Sequence, residues 1–348
     1  MTSPPLRQYD SRRLHEAMAR RLHRRGEARG EIVIPAVPGM LDVYVRMCET
    51  TFASVGAPFS AEQLEHLRVA LESQLVEAYQ ATQRSDIVIS WHCPVGTTLN
   101  YHIQPRWRTI AETYDDWIAT REPPLFGTKP DARVWDLASE ATDPKRFSIL
   151  DIGAGTGRNA LALARRGHPV DVVEVNEKFV DMIRAEAQKE QLRMGLIQRD
   201  VFATEADDLD DDYDLIILSE VVAEFRTTEQ LRALFQLASD RLVPGGHLVF
   251  NTFMAAHNYT PDEAVIQLGE QMYTRIFTYP EMAAAAADLP LEQISDESVF
   301  DYEQAHLPAG GWPPTGWYPE WVSGQDVFAL PREQCPIDMR WLVYQKQA

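Results

Sequence analysis

The chain alternates between two hydrophobic periods, and the change of period divides it. From Phe147 onward, short continuous apolar runs predict strands at 147–152, 170–175, 195–199, 213–219 and 246–253. Between them, stripes of helical period predict helices at 157–166, 177–190 and 227–242. Apolar strands alternating with helices imply a parallel sheet covered on both faces, with its ligand at the carboxyl ends of the strands. Beyond 255 the alternation weakens to helical segments at 261–272 and 280–288 and strands at 291–299 and 338–346. The 307–336 stretch, rich in Pro, Gly and Trp, reads as an extended loop or lid.

Before 147 the pattern is mainly helical. Residues 40–55 read as a helix after Pro38-Gly39. Ser60 opens a stronger one, with Gln63 completing a capping box and Leu64, Leu67, Leu71, Leu75 and Tyr79 on one stripe. Residues 86–91 and 97–103 form a hairpin pattern around Pro94-Val95-Gly96. Helices are predicted at 109–119 and 131–140. Two domains follow: a mainly helical cap or dimerisation domain at 1–130 and an α/β domain at 131–348.

Charge and composition narrow the function. The 348 residues suffice for a large core, and no apolar run approaches the length of a membrane span. A net charge of −19 argues against a general binder of nucleic acid or anionic membrane. Residues 1–30 run the other way, with eight arginines against Asp10, Glu16 and Glu27. With Leu6, Leu14, Met18 and Leu22, this reads as an amphipathic basic surface helix or arm. The acidic run from Asp207 to Asp212 reads as an exposed loop. Cys48, Cys93 and Cys335 lie far apart, without metal spacing or a disulfide framework, so a reducing cytoplasm and no metal are expected.

The chemistry concentrates at Ile149–Gly157, an apolar strand ending near Asp151, then glycine at 153, 155 and 157, then a helix closed by Gly167. Such a turn brings backbone N–H groups and the positive helix end to a ligand. Glycine-rich turns of this kind serve several nucleotide-like cofactors. Four features bear on the choice. The spacing is Asp-x-Gly-x-Gly-x-Gly. Glu174 ends the next strand, where it can accept from ribose hydroxyls. Asp200-Val201-Phe202 ends the third, an acid and an aromatic suited to adenine. Leu242-Val243-Pro244-Gly245-Gly246 leads into the fifth.

Over residues 147–255 this ordered set resembles the class I S-adenosylmethionine (AdoMet)-dependent methyltransferases. The stretch Gly157-Arg158-Asn159 to Gly167-His168 is locally similar to small-molecule methyltransferases of the tellurite-resistance type. The resemblance implies a Rossmann-like sheet flanked by helices. It also implies AdoMet held by Asp151, Gly153, Gly155, Gly157, Asn159, Glu174, Asp200, Val201, Phe202 and Ser219, with Tyr114 on a covering helix. The acceptor is then expected above the fourth and fifth strands. Glu220 and His257 are the candidates to contact or deprotonate it, with Glu224, Tyr259, Trp312 and Trp317 binding it. A small metabolite or natural product is expected, because a basic groove and the Asn/Asp-Pro-Pro-Tyr/Phe signature are both missing. The N-terminal helices offer a homodimer contact. The rival readings are an NAD(P)-dependent oxidoreductase, a non-catalytic AdoMet-binding scaffold or sensor, and an aminopropyltransferase.

Overall fold

The computed structural model describes residues 10–23, 26–95, 98–203, 209 and 212–348. Leu6 of the basic arm, the Gly96 turn, and Asp207, Asp208, Asp210 and Asp211 of the acidic run lie outside them. The chain divides into two compact units, Met1–Thr109 and Ile110–Ala348. The boundary expected near residue 130 thus falls about twenty residues earlier.

In the first unit, α1 (Ser11–His23) is the expected basic helix, with Leu14, Met18 and Leu22 exposed. After it come β1 (Ala28–Pro35), α2 (Leu41–Ser54), α3 (Ala61–Ala81), β2 (Asp86–Cys93) and β3 (Asn100–Arg106). The strands form one antiparallel sheet in the order β1-β2-β3. The unit is mainly helical, as expected, and adds a three-stranded sheet whose first strand the sequence pattern does not predict. Only Ile32, Val33 and Ile34 carry strong strand character in β1, and flanking Gly30 and Pro35 mask it. The capping box of α3 forms as its sequence dictates: Gln63 N–H donates to Ser60 Oγ at 3.2 Å and Ser60 N–H to Gln63 Oε1 at 2.8 Å. Leu67, Leu71 and Leu75 of its stripe are fully buried with Phe52, Ile87 and Ile89.

The second unit opens with α4 (Ile110–Thr120) and α5 (Ala132–Ser139), then alternates β4 (Ile149–Ile152), α6 (Arg158–Arg166), β5 (Val170–Glu174), α7 (Glu177–Glu190) and β6 (Met194–Gln198). It continues with β7 (Tyr213–Leu218), α8 (Thr228–Arg241), β8 (Leu242–Ala255), α9 (Glu263–Gln271), β9 (Ile276–Phe277) and α10 (Tyr279–Ala286). The remaining elements are β10 (Leu291–Ser298), α11 (Val299–His306), α12 (Tyr318–Val322), α13 (Gln325–Phe328) and β11 (Ile337–Lys346).

Among the described residues the sheet runs β6-β5-β4-β7-β8-β11-β10, with β9 beside β8. Strands β4 to β8 are mutually parallel, while β11 is antiparallel to both neighbours. The strand order reverses at β4, so the crevice at its carboxyl end is the topological switch point. This is a Rossmann-like, mostly parallel sheet flanked by helices.

Strand alternation sends side chains to two layers. Ile149, Ile217, Val249, Phe253 and Trp341 pack with α5 and α6 on one face. Leu150, Ile216, Phe250, Leu342 and Tyr344 pack with α8 and α10 on the other. Both faces are dry, which is why these strands read as continuous apolar runs. The 307–336 segment is less of a loop than its composition suggests. It contains α12 and α13, and Trp312, Trp317, Tyr318 and Trp321 pack against the first layer.

Ile217 is fully buried at the middle of β7. Ile217→Ala is expected to destabilise the second unit by about 2–5 kcal/mol, read as a lowered urea midpoint with the m-value retained.

Candidate active site

Four segments meet at the carboxyl end of the sheet: the β4–α6 turn, the end of β5, the turn at 219–224 after β7, and residues 125–131 before α5. The turn after β4 needs its glycines. Gly153 sits at φ +69°, and a Cβ there would lie 2.4 Å from Val221 Cγ2. Gly157 sits at φ +80° as the N-cap of α6, with Ile183 Cγ1 2.9 Å from a virtual Cβ. Any side chain at these two positions meets both strain and overlap.

Glu174 closes this turn from the side. Its Oε2 accepts from Gly155 N–H at 2.8 Å and its Oε1 from Asn176 N–H at 2.9 Å. Burial raises its pKa, and the three backbone donors of Asn176, Gly155 and Val175 oppose that. Asp200 lies exposed at the end of the β6 edge, its Oδ1 accepting from Phe202 N–H at 2.9 Å. Phe202 is 38% exposed and meets Phe225 edge-on at 5.2 Å, while Val201 packs into the second layer. The acid and the ring therefore stand at the same sheet edge.

Asp151 is 2% exposed, and its Oδ2 has no hydrogen-bond partner among the described residues. Burial, then the charge of Asp131, push its pKa up to about 8; Arg158 and the N–H of Ala160 pull the other way. An isolated buried carboxylate in this state calls for a cationic partner.

The centre of the site is an ion-pair hub that the sequence reading did not single out. Arg158, at the first turn of α6, donates from Nη1 and Nη2 to both oxygens of Asp131 and from Nη2 to Glu220 Oε1 at 2.9 Å. Side-chain exposures of 7%, 1% and 14% place all three out of bulk water. Asp131 also accepts from Asn159 Nδ2 at 2.8 Å and Ser219 Oγ at 2.7 Å. Asp131 reads in the sequence as the first residue of the helix predicted at 131–140, and that ordinary role conceals it. The structure gives it no side-chain capping bond to α5. Glu303 of α11 performs that service, accepting from Ala132 N–H and Arg133 N–H and from Trp341 Nε1 at 2.9 Å.

Predicted residues sort accordingly. Asn159 and Ser219 face Asp131, Asn159 with both of its polar ends, since its Oδ1 accepts from Asp131 N–H. Glu220 sits at φ +63°, and its N–H donates to Asn251 Oδ1 at 2.6 Å. This bond ties the end of β7 to β8 and holds the strained residue in place. Tyr114 Oη donates to Glu224 Oε1 at 3.4 Å, and its ring meets Trp117, Phe126 and Phe179 at 5.4–6.3 Å. Phe126 in turn lies beside Gly155. Tyr114, Glu220 and Glu224 thus belong to the same region.

His257 does not join them. It is exposed, stacks on Tyr279 at 4.3 Å, and lines a separate cleft of about 480 Å³ with Met254, Cys335, Asp338 and Arg340. Met254 and Tyr279 belong to the second layer, whereas Phe253 and the Tyr318 segment belong to the first. Two residues of travel past the end of β8 are enough to carry a side chain to the opposite face. Tyr259, Trp312 and Trp317 are part-buried against the first layer. Tyr259 meets Phe328, Trp312 meets Phe300 and Tyr318, and Trp317 meets Trp321.

Residues 149–246 match the family model described as a methyltransferase domain. That match spans the glycine turn after β4, Glu174 and Asp200. The chain is 23% identical over 188 residues to the "Probable S-adenosyl-L-methionine-dependent methyltransferase TehB" of Haemophilus influenzae (strain 10810), covering 52% of this chain and 63% of that protein. It is 30% identical over 88 residues to the "Ubiquinone biosynthesis O-methyltransferase" of Rickettsia typhi (strain ATCC VR-144 / Wilmington), covering 25% of this chain and 35% of that one. The chain thus spans less than two thirds of each of these curated relatives. Among solved structures, it is similar to the geranyl diphosphate C-methyltransferase of Streptomyces coelicolor A3(2), with a TM-score of 0.49 and 16% identity over 62% of this chain and 75% of that one.

Arg158→Met removes the single cation bonded to both Asp131 and Glu220 and leaves two carboxylates buried. It is expected to cost about 3–5 kcal/mol of stability, measured by thermal or urea unfolding.

Proposed function

We infer that this protein transfers a methyl group from AdoMet to a small-molecule acceptor. The observation that carries the reading is the orphaned carboxylate of Asp151 beside the Gly153–Gly157 turn. The residues present fit AdoMet. Asp151 would face its methionine ammonium, Glu174 the ribose hydroxyls, and Asp200 with Phe202 the adenine. The turn glycines leave room for close backbone approach. Asn159 and Ser219 would act through Asp131 rather than touch the cofactor. NAD(P) chemistry is disfavoured by the methyltransferase domain match, and an aminopropyltransferase or a non-catalytic scaffold finds no specific support in the site.

Bound AdoMet supplies an electrophilic methyl on sulfonium sulfur. The chain's own part is alignment and exclusion of water, which together can lower a barrier by roughly 7–11 kcal/mol in favourable cases. Tyr114, Trp117 and Phe126 form an aromatic wall next to the turn, which keeps that space dry. Glu220 is the one predicted catalytic residue that lies in the hub. Burial raises its pKa against the opposing pull of Arg158, which suits a group that accepts a proton near neutrality. A small acceptor agrees with the net charge of −19, which disfavours polyanionic polymers.

Equilibrium binding tests the reading directly. Wild type is expected to bind AdoMet and S-adenosylhomocysteine and not NAD, and Glu174→Ala to weaken AdoMet at least tenfold in calorimetry. Protection by NAD alone overturns the proposal.

A pH dependence follows from Asp151. Its carboxyl is largely protonated below about 8, whereas an ammonium partner requires the carboxylate. AdoMet affinity should therefore rise between pH 6 and 7.5, by up to about tenfold per unit, with proton release on binding. Titration in buffers of different ionisation enthalpy reads that release, and Asp151→Asn should abolish it.

A further inference from the structure

Buried acidic side chains outnumber buried basic ones around the hub. Asp131 and Glu220 are bonded to Arg158, Glu303 accepts from the N–H of Ala132 next to Asp131, and Asp151 lies near the end of β4, which leads into the turn before Arg158. Arg158 is the cation bonded to two of them. Three carboxylates have assigned work. Asp131 is held by Arg158, Asn159 and Ser219. Glu303 is held by two backbone N–H groups and Trp341. Asp151 answers to the AdoMet ammonium under the reading above. Glu220 remains, with Oε1 taken by Arg158 and no donor to its other oxygen among the described residues.

A second, independent group points at the same place. The hydroxyl of Tyr318, on α12, is buried without a hydrogen-bond partner, in a residue 1% exposed. Its helix lies over the end of β8 that holds Glu220: Trp321 of α12 meets Phe253 edge-on at 5.6 Å, two residues along the strand from Asn251, which bonds Glu220 N–H. Asn251 adds a third polar end, because its Oδ1 is bonded to Glu220 N–H and its Nδ2 is unpartnered. Unpaired buried polar groups are costly, so their coincidence around one carboxylate marks a place where a ligand completes the bonding. The surrounding walls are aromatic: Trp312, Trp317 and Trp321 pack on Tyr318. Pro314 lies against Gly127, one residue from Phe126.

Resting on the AdoMet reading, we propose that the methyl acceptor is a primary or secondary amine that arrives as a cation, its nitrogen seated between the Glu220 carboxylate and the Tyr318 hydroxyl. An ammonium donates to Glu220 and to the Tyr318 oxygen, and aromatic faces favour its charge. A carboxylate, phosphate or oxyanion acceptor would meet Glu220 and Asp131 with Arg158 already bonded to both. The step balances simply. The ammonium loses a proton to Glu220, and the freed lone pair forms the nitrogen–carbon bond as the methyl carbon–sulfur bond breaks. The electron pair of that bond remains on sulfur. The product is an N-methylated ammonium with S-adenosylhomocysteine, and the proton passes from Glu220 to solvent. Tyr318 is a positioning residue and Glu220 the catalytic one.

The full-length protein with methyl-labelled AdoMet can be challenged with three pools of small molecules matched in size and ring content: amines, alcohols with phenols, and carboxylates with phosphate esters. Label is expected in the amine pool alone. Label confined to a neutral or anionic pool, or in no pool while AdoMet binds, overturns the amine assignment but leaves cofactor binding standing. Failure to bind AdoMet in calorimetry sinks the underlying reading instead. With the amine acceptor found in this way, Glu220→Gln should lower kcat at least a hundredfold with AdoMet affinity within threefold of wild type. Tyr318→Phe, which preserves volume, should raise the KM for the amine about tenfold and change kcat less than threefold. An unchanged KM in Tyr318→Phe would also overturn the placement.

Discussion

One buried guanidinium holds the working end of this domain together. Arg158 bridges Asp131, which precedes α5, and Glu220, which follows β7, from its place at the start of α6. Three segments distant in sequence thus share one charge. Burying such groups costs several kcal/mol per ion, and the attraction repays it only when the remaining lone pairs are filled. Asn159 and Ser219 fill those of Asp131, and Asn251 fixes the backbone of Glu220. The hub adds little net stability on this reckoning. What it provides is position: the glycine turn, the strand-end acid and the segment beside Phe126 cannot drift apart without exposing an unpaired charge.

The same constraint explains the C-terminal part. Glu303 caps α5 from α11 and takes the indole N–H of Trp341 from β11. The antiparallel strand at the far side of β8 is thereby coupled to the segment that carries Asp131. The tryptophan-rich stretch then closes over this arrangement, with Tyr318 and Trp321 buried and Trp312 and Trp317 part-buried in the first layer. Its Pro and Gly content suggests a mobile lid, but its aromatics give it the packing of a core. Turn residues report where the chain bends, whereas large buried rings report where it is held.

Legibility followed the range of the interaction. The parallel strands, the turn at Gly153, Gly155 and Gly157, and the capping box at Ser60 and Gln63 are local patterns, and the structure places them where the periodicity does. Glu174 and Asp200 also stand at their strand ends because strand length alone fixes them. The hub was hidden because its members meet across gaps of 27 and 62 residues, and two of the three have ordinary local readings. Asp131 reads as the first residue of a predicted helix and Arg158 as a first-turn residue of the next, so of the three only Glu220 stands out in the sequence. His257 failed for the opposite reason. Its position after β8 is right for an acceptor-site residue, but the chain turns there onto the other face, and nothing in Ala256-His257-Asn258 signals which way. Strand β1 was missed because three β-branched residues are too few to outweigh neighbouring Gly30 and Pro35.

The surplus of buried acid over buried base turns this geometry into a statement about selectivity. A site with matched charges is indifferent to the sign of its ligand and must choose by shape. Here Arg158 is already committed to two partners, so a further anion finds no free cation at the hub, while a cation finds Glu220 half-bonded and Tyr318 unbonded. Discrimination of this kind resides in what the wrong ligand leaves unsatisfied as much as in what the right one gains. It also separates two demands on the same cluster. Asp131 must stay fully bonded to keep the fold registered, and Glu220 must stay incompletely bonded to keep the site responsive. The single hydrogen bond from Arg158 to Glu220, set against the paired bonds from Arg158 to Asp131, is how one guanidinium meets both.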